Sequence, residues 1–418
     1  MGSASLRQIV PRQVVRNATL FDSAAGVLRP GTTIVIEGER FAAVTQEPLQ
    51  VDDAAIVHDA AGRVVLPGLI DAHVHVSATS HDLPALALQP PSLTGAESAR
   101  LMAAMLRRGF TTVRDAAGAD WGLQEAVARG LYEGPRLFIS VQPITQTGGH
   151  ADMRPRGVRG EMFCSCAGLA LLGAVADGVG EVRRAVREQV RQGANQIKIM
   201  AGGGVSSPTD PIDGTQFSME ELRAAVEEAE AANLYALAHA YSPRAVTRAA
   251  QAGVRSIEHG NLIDEATVRE MKRHGTYFVP TLATYAALSD EGERLGWSAD
   301  MLAKLRRVQA SGLDAVRLAT AEGVPVVFGT DLLGHMHARQ ATEWALRSEA
   351  QTPVQVLQGA TIQAARLMKQ EGRIGELVAG AWADLLIVEG DPTLDVTLLT
   401  DPARAIKLLM QGGRVIDA

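Results

Sequence analysis

The chain has 418 residues, of which 46% are hydrophobic and 21% charged, and its formal net charge is −7. This length and composition are typical of a soluble globular protein with one large domain and a smaller companion. No basic block and no apolar run of about 20 residues is present, which disfavours nucleic acid as a partner and disfavours a membrane span. The compartment stays open between the cytoplasm and export after removal of a signal peptide.

The first part of the chain, residues 1–66, is predicted to form β-structure. Short β-rich segments at 32–37, 40–44 and 63–65 are separated by glycines and polar turns. This spacing is typical of small antiparallel sheets rather than of a helical domain.

The centre of the chain, residues 67–370, alternates short β-rich runs with amphipathic helical stretches. This alternation is the pattern of a parallel sheet wrapped by helices, and eight such units form a closed (β/α)₈ barrel. Helical periodicity is clear at 181–191 and 219–232, and the second helix begins with Ser218 and Glu221 at the spacing of a capping box. The predicted strands are residues 69–76, 111–115, 137–141, 196–200, 235–239, 254–258, 277–280 and 325–329.

The end of the chain returns to β-structure, with strand patterns at 383–388 and 406–410. Because both ends are β-rich and the centre is α/β, the simplest arrangement inserts the barrel into a sandwich made by the two termini. The predicted fold class is therefore α/β. It comprises a (β/α)₈ TIM-like barrel at 67–370 and a small β-sandwich formed by residues 1–66 and 371–418.

Potential metal ligands stand at the ends of five predicted strands. His73 and His75 end the first strand. Because alternate strand residues point to the same side, the two imidazoles converge and together form half of a divalent metal site. Each later candidate alone has an ordinary explanation, such as a helix N-cap for an aspartate. Together they favour a metal site, because barrel chemistry lies at the carboxyl ends of the strands. These later candidates are Lys198, His239, His259 and Asp331.

This ordered set resembles the amidohydrolase superfamily, in the branch whose two-metal centre is bridged by a carboxylated lysine. The resemblance includes Pro-Gly-Leu-Ile-Asp-Ala-His-Val-His at 67–75, Gly-Arg-Ile-Gly at 372–375 and Gly-Ala-Trp-Ala-Asp-Leu at 380–385, and it covers essentially the whole chain. It implies two divalent metal ions, with Zn²⁺ as the expected metal. The implied ligands are His73, His75 and Asp331 for the more buried ion, His239 and His259 for the second, and carboxylated Lys198 for both.

The resemblance also implies a mechanism in which a hydroxide shared by the two ions attacks the scissile carbonyl. Asp331 would be the general base, taking the proton of that water and delivering it to the leaving group. A free lysine is cationic near neutral pH, whereas a carbamate of Lys198, made with CO₂, is an anion with two oxygens that can bridge metals.

A narrower resemblance lies in Thr-Gln-Thr-Gly-Gly-His-Ala-Asp at 145–152. This loop is similar to that of imidazolonepropionase-like amidohydrolases that act as dipeptidases and carboxypeptidases, a clade that includes Xaa-Pro dipeptidases and ochratoxin A hydrolases. It implies that His150 binds the carbonyl oxygen and stabilises the oxyanion. Tyr241 is either a second donor to that carbonyl or a packed rim residue. The cations closest in sequence for a substrate carboxylate are Arg154, Arg156 and Arg159.

The predicted function is hydrolysis of an amide bond next to a C-terminal amino acid in a small-molecule or dipeptide-like substrate with a free carboxylate. Cleavage of ochratoxin A to phenylalanine and ochratoxin alpha is one instance. Two alternatives stay open, namely cyclic-amide hydrolysis or heterocycle deamination within the superfamily, and a non-catalytic scaffold. Lys198 disfavours deaminases with one metal, and the complete ligand set disfavours a scaffold.

Two further motifs and the oligomeric state can also be predicted. A second His-x-His pair, His335 and His337, lies in a loop and is not expected to bind metal. The glycines at 202–204 are expected to let the backbone pass close to the metals or the substrate. The resemblance implies a homo-oligomer, up to an octamer.

Overall fold

The computed structural model describes residues 12–49, 54–158, 171–207 and 210–417. In the described ranges, both chain ends build one eight-stranded sheet, and the centre builds two sheets of six and three strands. The strands are β1 (Gln13–Asp22), β2 (Val27–Glu37), β3 (Arg40–Thr45), β4 (Ile56–Asp59), β5 (Val64–Pro67), β6 (Leu69–Val74), β7 (Phe110–Asp115), β8 (Arg136–Ile139), β9 (Ile144–Thr145), β10 (Ala174–Val175), β11 (Ile197–Met200), β12 (Ala236–Ala240), β13 (Ser256–His259), β14 (Tyr277–Val279), β15 (Leu385–Val388), β16 (Ile406–Gln411) and β17 (Arg414–Ile416).

The helices surround the central strands, and two 3₁₀ helices lie at Gly334–Arg339 and Val396–Thr400. None of the helices in the described ranges is both long and apolar enough to cross a membrane. The α-helices are α1 (Leu83–Leu86), α2 (Pro91–Arg107), α3 (Trp121–Ala128), α4 (Gly178–Arg191), α5 (Met219–Ala231), α6 (Pro243–Ala252), α7 (Glu265–Arg273), α8 (Leu282–Glu291), α9 (Ala299–Glu322), α10 (Thr342–Ser348), α11 (Pro353–Gly359), α12 (Ile362–Leu367) and α13 (Pro402–Ala405).

The terminal sheet joins the two ends of the chain, as the sequence predicts. Its strands follow the order β17, β16, β15, β5, β1, β2, β3, with β4 paired to β1, so β15 from the C-terminal part lies antiparallel to β5 from the N-terminal part. The amide of Phe41 on β3 donates to the carbonyl of Ala381 at 3.0 Å, so the sheet closes back on itself around buried residues such as Val15 and Ile34. The exact domain boundaries stay a prediction.

The central strands are parallel and form the barrel. β6, β7 and β8 pair in sequence, and β9, β11, β12, β13 and β14 continue the ring. The third strand, predicted at 137–141, ends earlier as β8 at Ile139, Val141 has φ +62°, and the separate short strand β9 follows. The Asn195 amide donates to the Ile139 carbonyl at 2.7 Å and spans this interruption.

The last barrel segment differs from its prediction. Residues 325–329 form a single parallel bridge, Val326 with Phe278, rather than a regular strand. The ring still closes, because the Ala72 amide donates to the Phe328 carbonyl at 2.8 Å. The segment is short because the chain turns toward the barrel mouth immediately after it, at Asp331, where φ is +55°.

Local sequence signals define the helices well. The capping box at the start of α5 is confirmed, since the Ser218 hydroxyl accepts from the Glu221 amide and the Glu221 carboxylate accepts from the Ser218 amide. α4 begins at Gly178, three residues before the predicted start of that helix.

Candidate metal centre and active site

The two histidines of the His-x-His motif converge with Asp331 at the mouth of the barrel. Nε2 of His73 lies 3.4 Å, and Nε2 of His75 lies 3.1 Å, from Oδ1 of Asp331. One potential ligand atom from each of the three residues lies within 4.8 Å of the others. Burial alone would raise the pKa of the Asp331 carboxyl, but the neighbouring His73 and His75 outweigh it and hold that pKa well below its usual value.

Asp71, two residues before His73, fixes the distance between the first and last barrel segments. Its Oδ1 accepts from the amides of His73 at 3.1 Å and Thr330 at 3.2 Å, and its Oδ2 accepts from the Thr330 hydroxyl at 2.6 Å. The amide of Asp331 donates to the His73 carbonyl at 2.8 Å. The buried Asp71 carboxylate thereby holds the backbone of the candidate ligand His73 and of Thr330, the residue before Asp331.

A buried ion pair supports His73 from the opposite side. Nδ1 of His73 donates to Oε2 of Glu258 at 2.7 Å, and Nη2 of Arg114 donates to both carboxylate oxygens at 2.9 and 2.8 Å. The Ser256 hydroxyl donates to Oε1 at 2.5 Å. Burial alone would raise the pKa of the Glu258 carboxyl, but Arg114 and His73 outweigh it and lower that pKa. Because the carboxylate accepts a hydrogen bond from Nδ1, the ring proton stays on that nitrogen, and Nε2 of His73 keeps its lone pair for a cation.

The remaining candidate ligands lie on the next strands of the ring. Lys198 on β11, His239 on β12 and His259 on β13 are all buried. The rings of His239 and His259 lie 4.6 Å apart between centroids, and that of His259 lies 5.1 Å from His73. Burial lowers the pKa of both His239 and His259 well below the usual value, so each stays neutral, the form that binds metal. Burial also lowers the pKa of Lys198 to about 8.

Tyr241 belongs to a chain of hydroxyl groups that ends at His259. The Tyr241 and Tyr285 hydroxyls lie 2.9 Å apart, and Nδ1 of His259 lies 2.9 Å from the hydroxyl of Thr281. The Tyr241 ring stacks on His259 with centroids 5.1 Å apart. Burial raises the pKa of Tyr241, so its hydroxyl stays protonated and able to donate. Tyr241 is therefore a packed tyrosine whose hydroxyl contacts Tyr285, and a hydrogen bond from it to a substrate carbonyl stays a prediction.

His150 reaches the same cluster from the loop after β9. Its ring stacks on His239 with centroids 4.3 Å apart, and its Nδ1 lies 3.2 Å from Oδ2 of Asp210. A Cβ on Gly204 would lie 1.8 Å from Cε1 of His150, and the carbonyl of Gly203 accepts from Nε2 of His239 at 3.1 Å. The glycine run thus passes directly against two candidate site residues, and its approach to metals or substrate stays a prediction.

The other sequence candidates have surroundings of their own. Arg154 pairs with Asp152 through two hydrogen bonds of 2.7 and 2.6 Å, Arg156 is exposed, and Arg159 lies outside the described residues. The second His-x-His pair lies on the 3₁₀ helix Gly334–Arg339 rather than in the predicted loop, and its two side chains have different surroundings. His335 is exposed and pairs with a surface glutamate, whereas His337 is buried, lies 3.2 Å from a backbone carbonyl, and has its pKa lowered to about 3 by burial.

The residues that hold the candidate ligands and His150 in place, namely Arg114, Glu258 and Asp210, are not among the sequence-predicted site residues. Arg114 and Glu258 are charged residues in otherwise apolar strands, which is a usable signal, because charges are almost never fully buried unless paired. Nothing in the sequence marks Asp210 as a functional residue, since an aspartate beside a proline, here Pro211, is ordinary turn composition.

The donor set suits divalent cations. Imidazole and carboxylate ligands fit Zn²⁺ and similar metals, and His73 Nε2 is buried without a hydrogen-bond partner among the described residues. A buried nitrogen with a lone pair and no partner is costly unless a ligand uses it. The cluster therefore could hold a metal ion at His73, His75 and Asp331.

Comparisons with known proteins agree with this geometry. A sequence model of the Amidohydrolase family matches residues 64–416. Ochratoxinase from Aspergillus niger is 33% identical over 364 residues, which are 84% of this chain and 75% of ochratoxinase. A prolidase solved in complex with N-methylphosphonate-L-proline is 45% identical, with a TM-score of 0.93 over 97% of this chain and 99% of that chain. A Xaa-Pro dipeptidase solved with bound methionine is 28% identical, with a TM-score of 0.85 over 97% of this chain and 100% of that chain. The chain belongs to the Amidohydrolase family, and it is a hydrolase acting on C–N bonds.

Proposed function

We propose that this enzyme hydrolyses the amide bond between a C-terminal amino acid and an acyl or aminoacyl group, in a small substrate with a free carboxylate. The observation that carries the proposal is the whole-length similarity to a prolidase solved with N-methylphosphonate-L-proline. A phosphonate on the proline nitrogen is tetrahedral and anionic, like the intermediate of amide hydrolysis. The relatives include a prolidase and ochratoxinase, so dipeptides ending in proline and aromatic N-acyl amino acids such as ochratoxin A are the substrate classes to test first.

The proposed cofactors are two divalent metal ions, with Zn²⁺ as the expected metal. His73, His75 and Asp331 would hold one ion, His239 and His259 would hold the other, and Lys198 as a carbamate would join them. When bound, such ions polarise the scissile carbonyl and lower the pKa of water.

The environment of Lys198 supports carbamate formation. Only a neutral amine reacts with CO₂, in the balanced step R–NH₂ + CO₂ → R–NH–COO⁻ + H⁺. With a pKa of about 8, about a tenth of the Lys198 side chains would be neutral at pH 7. An unshifted lysine would have less than about one neutral side chain in a thousand at the same pH.

Asp331, His150 and Tyr241 would handle protons and charge during the reaction. The lowered pKa keeps Asp331 ionised, so it can accept a proton from the attacking water and return it to the leaving amine. Nε2 of His150 would donate to the carbonyl oxygen as negative charge develops there, and the Tyr241 hydroxyl would give a second hydrogen bond. Removal of one such donor typically costs about 10²–10³ in kcat.

The test is release of free amino acids, measured by mass spectrometry, from Xaa-Pro dipeptides, N-acyl amino acids, ochratoxin A and cyclic amides. Each substrate is incubated with the enzyme with and without a chelator. Lys198→Ala and Asp331→Asn are compared with Asp314→Asn, a surface carboxylate on α9 that is 78% exposed. Metal content per chain is measured for every variant.

The expected result is chelator-sensitive release from the linear amides, loss of release in Lys198→Ala and Asp331→Asn, and wild-type release in Asp314→Asn. Turnover of the cyclic amides alone, by metal-loaded protein, would contradict the proposal. The proposed homo-oligomer is checked separately by light scattering after size-exclusion chromatography.

A further inference from the structure

The segment that follows β11 forms a cyclic hydrogen-bond network that includes His150. Oδ2 of Asp210 accepts from Nδ1 of His150 at 3.2 Å, from the Gly204 amide at 2.9 Å and from Nε2 of Gln216 at 3.3 Å. Oε1 of Gln216 in turn accepts from the amide of His150 at 3.0 Å. Asp210 thus holds the imidazole of His150, Gln216 holds its backbone amide, and the two side chains contact each other.

The backbone at Asp210 is itself held in place. Its side chain is 4% exposed. Nζ of Lys304, on α9, donates to the carbonyl of Asp210 at 2.9 Å and to that of Ser207 at 3.0 Å. Gly204 packs so closely on His150 that a Cβ there would overlap the imidazole. The contact between Asp210 and His150 therefore joins two loops at the barrel mouth rather than two mobile surface groups.

We propose that Asp210 is a positioning residue that acts through His150, fixing its ring plane and holding its Nδ1 proton so that Nε2 faces the substrate. This inference rests on the proposed function, in which His150 contacts the scissile carbonyl. The Asp210 carboxylate only accepts hydrogen bonds, so Nδ1 carries a proton, and Nε2 donates to the scissile carbonyl from the ring form in which both nitrogens carry a proton. Within the described part of the chain Nε2 of His150 has no hydrogen-bond partner, which leaves this nitrogen for the substrate.

The geometry distinguishes two substitutions of Asp210. Asp210→Ala removes the acceptor for Nδ1 and leaves the imidazole free to rotate. Asp210→Asn keeps one oxygen, which can still accept from Nδ1. Loss of a partner that orients a functional histidine typically costs about 10–100-fold. The alanine variant should lose that factor in kcat with KM changed less than about threefold, and the asparagine variant should recover at least threefold of it.

The matched control is Asp213→Asn, an exposed aspartate three residues later in the same loop. A double-mutant cycle then separates positioning from a general structural role. If Asp210 acts through His150, Asp210→Ala in a His150→Ala background should lower kcat less than about twofold further. An equal loss of kcat in both backgrounds would overturn the inference.

A second measurement needs no substrate. Diethyl pyrocarbonate modifies imidazole nitrogens that carry no proton, and peptide mass spectrometry gives the rate at His150. That rate should rise several-fold in Asp210→Ala and stay unchanged in Asp213→Asn. Equal labelling of all three proteins would overturn the inference. If no amide is cleaved, the proposed function fails, but the labelling still decides whether Asp210 holds His150.

Discussion

Replacement of Glu258 by glutamine should weaken metal binding through the ring proton of His73. The Glu258 carboxylate accepts from His73 Nδ1 at 2.7 Å, from Arg114 Nη2 and from the Ser256 hydroxyl. A glutamine offers one acceptor oxygen and an NH₂ group that only donates. If the oxygen faces Arg114, the NH₂ group faces Nδ1 and moves the ring proton to Nε2, which is the nitrogen 3.4 Å from Asp331.

The size of the effect follows from these contacts. Loss of a partner that orients a metal-binding histidine typically costs about 10–100-fold in metal affinity, which equals about 1.4–2.7 kcal/mol. Glu258→Gln also leaves the Arg114 guanidinium without its ion pair, and both side chains are fully buried. Breaking a buried pair by changing one partner destabilises a protein by about 3–5 kcal/mol, so the melting temperature should fall as well.

The assay is competition with a chromophoric chelator, followed by activity at rising metal concentration. Glu258→Gln should need 10–100-fold more free metal for half-maximal loading and should regain activity when metal is in excess. Glu265→Gln is the control, because the Glu265 side chain is 71% exposed on α7. Wild-type metal affinity together with a wild-type melting temperature in Glu258→Gln would refute the proposed role of the ion pair.

Three further outcomes follow from the structure. Gly204→Ala places a Cβ 1.8 Å from the His150 ring, so kcat should fall at least tenfold. Gly157→Ala is the control, because a Cβ there meets nothing within 4 Å, and it should leave kcat unchanged. Equal activity of the two variants would contradict the contact between Gly204 and His150. Burial raises the pKa of Glu343 to about 8, so its contribution to stability is lost as pH rises from about 4.5 to 8. The melting temperature of Glu343→Gln relative to wild type should therefore increase between pH 5 and pH 9, and a constant difference would contradict this. Because the Lys198 pKa is about 8, reactivation of metal-depleted enzyme at fixed dissolved CO₂ should be about tenfold faster at pH 9 than at pH 7, and a flat profile would argue against the carbamate.

The fold and the inner residues of the site could be predicted because they obey one rule. In a parallel barrel the carboxyl ends of all strands meet at one face, so polar residues at strand ends converge even when they are far apart in sequence. Asp331 and His73 meet for this reason. The length of the eighth strand is smaller than predicted. An apolar run predicts burial, but it does not predict how many backbone hydrogen bonds a segment forms with its neighbour before the chain turns.

The supporting residues could not be predicted, because strand periodicity gives the face that a side chain occupies and not the partner it meets. Glu258 accepts from His73 across 185 residues and from Arg114 across 144 residues. A charge in an apolar strand predicts that a partner exists, but the identity of that partner depends on the order of strands around the ring. The same holds for Asp210, whose contact with His150 depends on the packing of two loops.

The hydrogen-bond partners of the histidines determine which ring nitrogen is available to a metal ion. Nδ1 is the hydrogen-bonded atom in His73, His75, His150 and His259, whereas in His239 it is Nε2. The partners are two carboxylates, two backbone carbonyls and a hydroxyl. A histidine binds a cation through the nitrogen that its other partner leaves free, so His239 would use Nδ1 and the other three candidate ligands Nε2. Residue types at strand ends therefore predict that a metal site exists, and the surrounding partners determine which atom of each ligand points into it.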